Sequence, residues 1–417
     1  MIVGIDVGSE THYARAFDWR NIEFSKKPFA FSNDEAGFAS FKAWLEDIKE
    51  KFGKTIVLPG MEPTGHYWFN LGAFQQDNGM KPVHVNPHHV HKSKELDDNN
   101  PSKDDRKDPK TIAALVNEGR FNYPYIPTGV YAEIRSLYGL QVMTQEALIR
   151  VKNRIARWLS IYFPEYKDVY WSCDAISGVM VLKVCPLPAD IVMLGADGVN
   201  KIWRDAQLRA AGMKRARTLV EAAKHSVGST ESPEAAKYEM ELLLGDYDVY
   251  TKRLEELTEK IEVKMEEIPY VDKILEIKGV GKKIVSGLIA EIGDISRFDN
   301  PKQVQKLAGY AIVACSSGKH KGESHISYRG RKRLRYVLYE AAISLIGQNA
   351  EFKEIHRYYL TRQNNPLKKM ESVIAVACKA LRVFYAILTK GVNYEGKFML
   401  ESIRYPENQV LGNRIAA

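Results

Sequence analysis

Met1–Glu10 reads MIVGIDVGSE, and the interpretation of this stretch decides the fold of the first part of the chain. Ile2 to Val7 has the form of a buried strand. Gly4 and Gly8 permit close approach of neighbouring backbone. Asp6 falls near the strand's end. Moving outward, strands are expected at Tyr13 to Asp18 and at Glu23 to Phe31. A helix is expected over Glu35 to Phe52, where Phe38, Phe41, Trp44, Leu45 and Ile48 recur at helical spacing. Thr55 to Leu58 is the next strand, and MEPTGHYW after it sets Glu62 at a strand's carboxyl end. A helix from His66 to Asp77 and a strand from Pro82 to Val85 complete the pattern. Strands first, then helix–strand alternation, predict an α/β sheet, in which ligands gather at the carboxyl ends of strands.

A polar linker, Glu95 to Pro101, leads into KDDRKDPKTIAALVNEG, which reads as a helix N-terminus running into a helix. Asp105 and Asp108 are three apart and share one helix face, while Asp104 points elsewhere. Asp6, Glu62, Asp105 and Asp108 could therefore meet from two strand ends and one helix. Four carboxylates that close repel unless a cation neutralises them. Hard oxygen ligands favour magnesium, with manganese as the alternative, and a two-metal site would clamp phosphate oxygens. Singly, each acid has a plainer reading. Asp6 in GIDVGS also opens the phosphate strand of sugar kinases and actin-like ATPases, although no further glycine-rich phosphate loop follows here. Glu62 alone would be a surface acid, and Asp105 and Asp108 would be acids favoured by the helix dipole. His84, His88, His89 and His91 fit no closed zinc set.

The bulk numbers agree with a globular protein that meets a polyanion. The 417 residues are 45% hydrophobic, with a net charge of +8 and a pI near 9.0. Cys173, Cys185, Cys315 and Cys378 include no C-x-x-C pair, which argues against a zinc ribbon and for free thiols in a reducing compartment. The N-terminus has acid where a signal peptide has an apolar core, and Ser372 to Leu388 is broken by Lys379 and Arg382. A cytoplasmic protein with no membrane partner is expected.

In the middle, Leu148, Val151, Ile155, Trp158 and Tyr162 alternate by three and four, as do Leu243, Tyr247, Tyr250, Leu254, Leu257 and Ile261. Two such helices predict antiparallel coiled-coil arms, a dimerising pair or packing within one helical domain. The intervening 164–233 reads as a small, mostly helical insert that contains Lys214, Arg215 and Arg217 and has no legible purpose.

Further on, ILEIKGVGKKIVSGLIAEIGDI (Ile274 to Ile295) has the form helix–GVG–helix. Gly279 and Gly281 permit a tight turn, so that helix-opening amides can face a phosphate. This resembles a helix-hairpin-helix module, which grips nucleic-acid backbone without reading sequence. Cys315 to Arg335 then reads CSSGKHKGESHISYRGRKRLR. Lys319, Lys321, Arg329, Arg331, Lys332, Arg333 and Arg335 meet only Glu323 as counter-charge. Arginines fork onto phosphate oxygens, and a nearby serine hydroxyl could attack phosphorus once activated. A solvated basic loop with two turn-forming serines is the plain alternative. Helices are expected over Arg331 to Leu345 and Pro366 to Leu388, with a surface tail from Tyr394.

In this order, Asp6, Glu62 in E-P-T-G, Asp-x-x-Asp, the arms, the GVG hairpin and the Ser-Gly…R-G…LR run resemble insertion-sequence family one-hundred-and-ten, the DEDD-type transposases. The resemblance covers about 1–125 and 265–390. It implies a RuvC-like (ribonuclease H-like) domain at 1–125, coiled-coil arms with the insert at 126–268, a mostly helical transposase domain at 269–395 and a tail at 396–417. It also implies Asp6, Glu62, Asp105 and Asp108 as the metal-binding tetrad and Ser317, just before Gly318, as the nucleophile. Lys278 stands where the family's hairpin has proline, and Ser316 offers a second hydroxyl. The implied activity is recombination of donor and target DNA guided by a bridge RNA, in a prokaryotic cytoplasm and at the nucleoid, by a dimer of dimers. Arg329, Arg333 and Arg335 would stabilise the transferring phosphoryl group. The rivals are a RuvC-like junction nuclease that activates water, an actin-like ATPase and a structural RNA-binding protein.

Overall fold

A computed structural model describes residues 1–24, 27–63, 65–97, 108–313, 316–317, 320–321 and 325–404, with backbone alone for 94–97, 316–317, 320–321 and 402–404. The chain divides into two compact units, Met1–Ile126 and Pro127–Ala417.

The first unit contains β1 (Ile2–Asp6), β2 (Thr11–Phe17), β3 (Phe29–Ser32), α1 (Glu35–Phe52), β4 (Leu58–Met61), α2 (Trp68–Asp77), β5 (Val83–Val85), α3 (Pro87–Asp97), α4 (Asp108–Asn117) and β6 (Phe121–Asn122). The strands form one mixed sheet in the order β3-β2-β1-β4-β5-β6. β1 is antiparallel to β2 and parallel to β4, and β4 is parallel to β5. Side chains alternate across this sheet. Val3, Ile5 and Val7 pack with Phe41, Leu45, Ile48 and Leu71 of α1 and α2. Ile2 and Leu58 pack on the other face with Ile112, Leu115 and Val116 of α4. α1 starts where the Asp34 side chain accepts from Gly37 N at 2.7 Å and stops at left-handed Gly53, φ 61°.

Two expectations for this unit shift, and one strand was not expected. The strand expected at Thr55 to Leu58 lies at Leu58–Met61, because Gly60 must sit under Val116, where a Cβ would be 2.4 Å from Cγ2. The strand expected from Glu23 shrinks to a single bridge, Phe17 to Glu23, followed by β3. β6, at two residues, is too short to show a period in sequence.

In the second unit, α5 (Gly129–Tyr162) and α10 (Pro233–Met265) lie antiparallel. Three pairs fix this register: Trp158 Nε1 to Ala236 O at 3.0 Å, Gln141 Nε2 to Thr258 Oγ1 at 2.9 Å, and Lys264 to Glu133 at 3.0 Å. Between them come α6 (Tyr166–Val169), α7 (Ile176–Val184), α8 (Pro188–Asp205) and α9 (Met213–Lys224). These close a core around Trp158, Phe163, Trp203 and Leu219.

α11 (Val271–Leu275), α12 (Lys282–Ile292), α13 (Pro301–Leu307), α14 (Lys332–Gln348), α15 (Ala350–Thr361), α16 (Lys369–Lys390) and α17 (Gly396–Arg404) build a second core, reached by Ile134, Ile261 and Met265 of the long pair. α16 is long and apolar enough to cross a membrane, yet its Val376, Ala377, Ala380, Leu381 and Phe384 are fully buried in this core. The segment expected to be a surface tail from Tyr394 is helical over α17, and its Met399 and Leu400 are buried in the same core. Tyr394 itself stacks on Phe352 with ring centroids 6.2 Å apart.

Candidate functional site

The acids come first. β1 and β4 run parallel with Ile5 opposite Met61, so Asp6 and Glu62, each one residue further along, lie side by side at the carboxyl ends of neighbouring strands. By alternation, Gly4 and Asp6 face the same side, as do Gly60 and Glu62. That side carries α4. A Cβ on Gly4 would lie 1.8 Å from Pro109 O and 2.8 Å from Ala113 N, so the first turn of α4 rests directly on β1. Asp108, in that turn and 8% exposed, is thereby held at the same end of the sheet. None of the three is without a partner in the folded chain. Asp105, the fourth acid, lies outside the described residues. Among the described residues, no group of three or more His, Cys, Asp or Glu side chains is arranged to hold a metal ion. As donors, Asp6, Glu62 and Asp108 offer oxygen alone, a set that suits a hard divalent cation.

His84 joins no cluster. It is buried against Trp68, edge-on at 4.3 Å between ring centroids, and burial pushes its pKa down to about 4. His88, His89 and His91 are exposed on α3.

The serine segment forms short ladders. β7 (Ile312–Val313) pairs with β10 (His325–Ile326). β8 (Ser316–Ser317) pairs with β9 (His320–Lys321), with Ser317 opposite His320. Ser317 is therefore the last residue of β8, and Gly318, Lys319 and Cys315 lie outside the described residues.

The base of this hairpin is fixed by backbone bonds: Ser327 N to Ala311 O at 2.8 Å, Tyr328 N to Gly309 O at 3.1 Å and Arg331 N to Leu307 O at 2.7 Å. Tyr310, 2% exposed, donates its hydroxyl to Arg335 O at 2.9 Å, and burial raises its pKa. A Cβ on Gly330 would lie 2.4 Å from Leu307 O, so only glycine lets these two segments approach so closely.

The basic residues divide into two groups. Arg329, Lys332 and Arg333 are exposed. Arg331 donates from Nε to buried Glu291 at 2.7 Å. Arg335 donates from Nη1 to Ala308 O at 3.1 Å and Tyr328 O at 3.2 Å, with its guanidinium 5.4 Å from the Tyr328 ring centroid. These two arginines brace the hairpin from within the chain. Lys321 lies in β9, and Lys319 is outside the described residues. Gly279 has φ 96°, and Gly281 is the extended residue before α12, which opens with Lys282 and Lys283. Lys282 is paired to Glu262 at 2.6 Å. Glu291, Tyr310 and Tyr328 were not legible as site residues, because only tertiary contacts distinguish them from other core or loop positions.

Residues 3–164 match the family described as "Transposase", of the DEDD IS110 type, and residues 271–359 match the family described as "Transposase IS116/IS110/IS902 family". The insertion element IS116 44.8 kDa protein of Streptomyces clavuligerus is 22% identical over 391 residues, 93% of this chain and 94% of that protein. The transposase-like protein y4rJ of Sinorhizobium fredii is 32% identical over 135 residues, 32% of this chain and 34% of that protein. The pilin gene-inverting protein of Moraxella bovis is 31% identical over 117 residues, 28% of this chain and 35% of that protein. The chain thus spans about a third of the length of the last two relatives.

Proposed function

We propose, from the premise that the chain belongs to the IS110 transposase family, that it cuts and rejoins DNA through a covalent link to Ser317. The observation that carries this reading is the placement of Ser317 at the end of a braced two-stranded ladder, inside the segment that matches the family. The exposed Arg329, Lys332 and Arg333 at the root of the ladder suit a phosphodiester. In the step proposed, Ser317 Oγ attacks phosphorus, a P–Oγ bond forms and the P–O bond to the leaving strand breaks. The serine proton leaves and the departing oxygen becomes a free hydroxyl. Reversal of the attack by another strand's hydroxyl restores a phosphodiester and the serine. One P–O bond replaces another, so no nucleotide triphosphate is consumed.

The sheet order β3-β2-β1-β4-β5 with α4 across it supports a ribonuclease H-like first unit. Asp6, Glu62 and Asp108, together with Asp105, would hold magnesium or manganese. Such a cation, when bound, neutralises phosphate charge. The side-by-side register of Asp6 and Glu62 supports that assignment and equally suits a RuvC-like nuclease that activates water. The likeness to a pilin gene-inverting protein supports recombination over simple hydrolysis. We further propose donor and target DNA as substrates, a bridge RNA as guide and a dimer of dimers as the active assembly in the prokaryotic cytoplasm. A plasmid recombination assay tests the reading. Ser317→Ala should bind nucleic acid yet recombine nothing, and recombination at the wild-type rate would overturn it. Sequencing of co-purifying RNA should return one discrete species with two looped pairing segments. A random RNA population contradicts the guide.

A further inference from the structure

The insert between α5 and α10 carries a surface that recombination by Ser317 leaves unexplained. Trp171 is 102% exposed, the most exposed large apolar side chain among the described residues. An indole left in water offers a flat face for stacking, which gains meaning from the basic helix beside it. It directly follows Tyr170, which is 3% exposed and whose ring centroid lies 5.8 Å from the Arg215 guanidinium carbon. Trp171 therefore emerges beside the first turn of α9, where α6 packs.

On α9, Ala216, Leu219, Val220 and Ala223 are buried, and the opposite face presents Lys214, Arg215, Arg217 and Thr218 to solvent. A groove of about 590 Å³ runs between α6 and α9, lined by Lys214, Arg215 and Thr218, with Asp168 the single acid. From 201 to 217 the sequence holds six basic residues against Asp205 alone. Arg204 is used internally, donating to Leu208 O and Ala211 O, and the others remain at the surface.

We propose that this face binds single-stranded nucleic acid, with an unpaired base stacked on Trp171 and flanking phosphates held by Lys214, Arg215 and Arg217. Exposed aromatics accept any unstacked base, and cations beside them hold the backbone. A duplex keeps its bases stacked within itself and would leave the indole idle. Three exposed cations on one turn of α9 suit phosphates better than an apolar protein partner. The inference holds independently of the role of Ser317.

The test uses the full chain and labelled oligo(U), oligo(dT) and a duplex of equal length, read by fluorescence anisotropy. Trp171→Ala should weaken single-strand binding about tenfold, with Trp171→Phe close to wild type, because stacking survives in phenylalanine. The salt dependence of Trp171→Ala should be unchanged. Lys214→Ala/Arg215→Ala/Arg217→Ala should lower the slope of log K against log salt by about 2. Comparison of oligo(U) with oligo(dT) tells RNA from DNA. Affinity unchanged in both variants, or an equal loss on duplex, overturns the proposal, as does a captured protein partner that depends on Trp171 while single strands do not. All four positions are exposed, so thermal melts should match wild type and folding does not confuse the result.

Discussion

Arg331 donates from Nε to Oε2 of Glu291 at 2.7 Å, and Glu291 is 5% exposed. This pair ties α12 to the residue that precedes α14, at the root of the serine hairpin. Loss of one partner leaves a buried carboxylate uncompensated, which costs about 3–5 kcal/mol in fully buried pairs. The Arg331 side chain is 40% exposed, so water recovers part of this. Arg331→Ala should therefore lose about 1–2 kcal/mol. Arg329→Ala, at an exposed site, should stay within about 0.5 kcal/mol of wild type. Urea unfolding of the two variants checks the difference, and equal midpoints would contradict it.

Gly4 and Gly139 predict opposite outcomes for the same substitution. A Cβ at Gly4 meets Pro109 O at 1.8 Å, a backbone atom that cannot swing aside. Gly4→Ala should cost about 3 kcal/mol, as overpacking of a tight contact does. At Gly139, inside α5, nothing lies within 4 Å. Gly139→Ala should stabilise by about 0.5–1 kcal/mol. Thermal melts decide, and a neutral Gly4→Ala would mean that α4 does not lie on β1 as described.

His84 gives the first unit a pH dependence. Its folded pKa, about 4, is below the ordinary 6.5. Between those values the unfolded chain holds a proton that the folded chain lacks. Stability should therefore fall as pH drops from 6.5 toward 4, by up to about 3 kcal/mol, and be unaffected above 6.5. Burial shifts His12 in the same direction. The difference between wild type and His84→Leu isolates the His84 share. Parallel urea midpoints for the two proteins at pH 7.5 and pH 5 would contradict this.

How much of this the sequence revealed depended on contact range. α1, α5 and α14 were legible because a helix writes its period locally. The place of Asp6 and Glu62 at strand ends was legible for the same reason. β4 slid three residues because Pro59 and Gly60 are poor strand formers, and the need for Gly60 arises from Val116, far along the chain. The bracing roles of Arg331 and Arg335 were hidden, since a basic run looks alike whether its members face solvent or carbonyls. Trp171 gave no signal because exposure is not written in sequence.

The proposed metal-binding acids have their own test. Asp6→Asn and Glu62→Gln keep shape while removing charge. Each should weaken manganese binding at least about tenfold, given carboxylate ligands to a hard cation. Paramagnetic resonance of titrated manganese reads this directly. Unaltered binding in both variants would remove these residues from any metal site.

The measurement closest to the central claim is mass mapping of protein recovered, under denaturing conditions, still attached to DNA in cells that harbour the element. The account predicts a nucleotide remnant on the peptide containing Ser317, present in wild type and Ser316→Ala and absent in Ser317→Ala. Cut DNA with no protein attached, or an adduct that persists in Ser317→Ala, would contradict it.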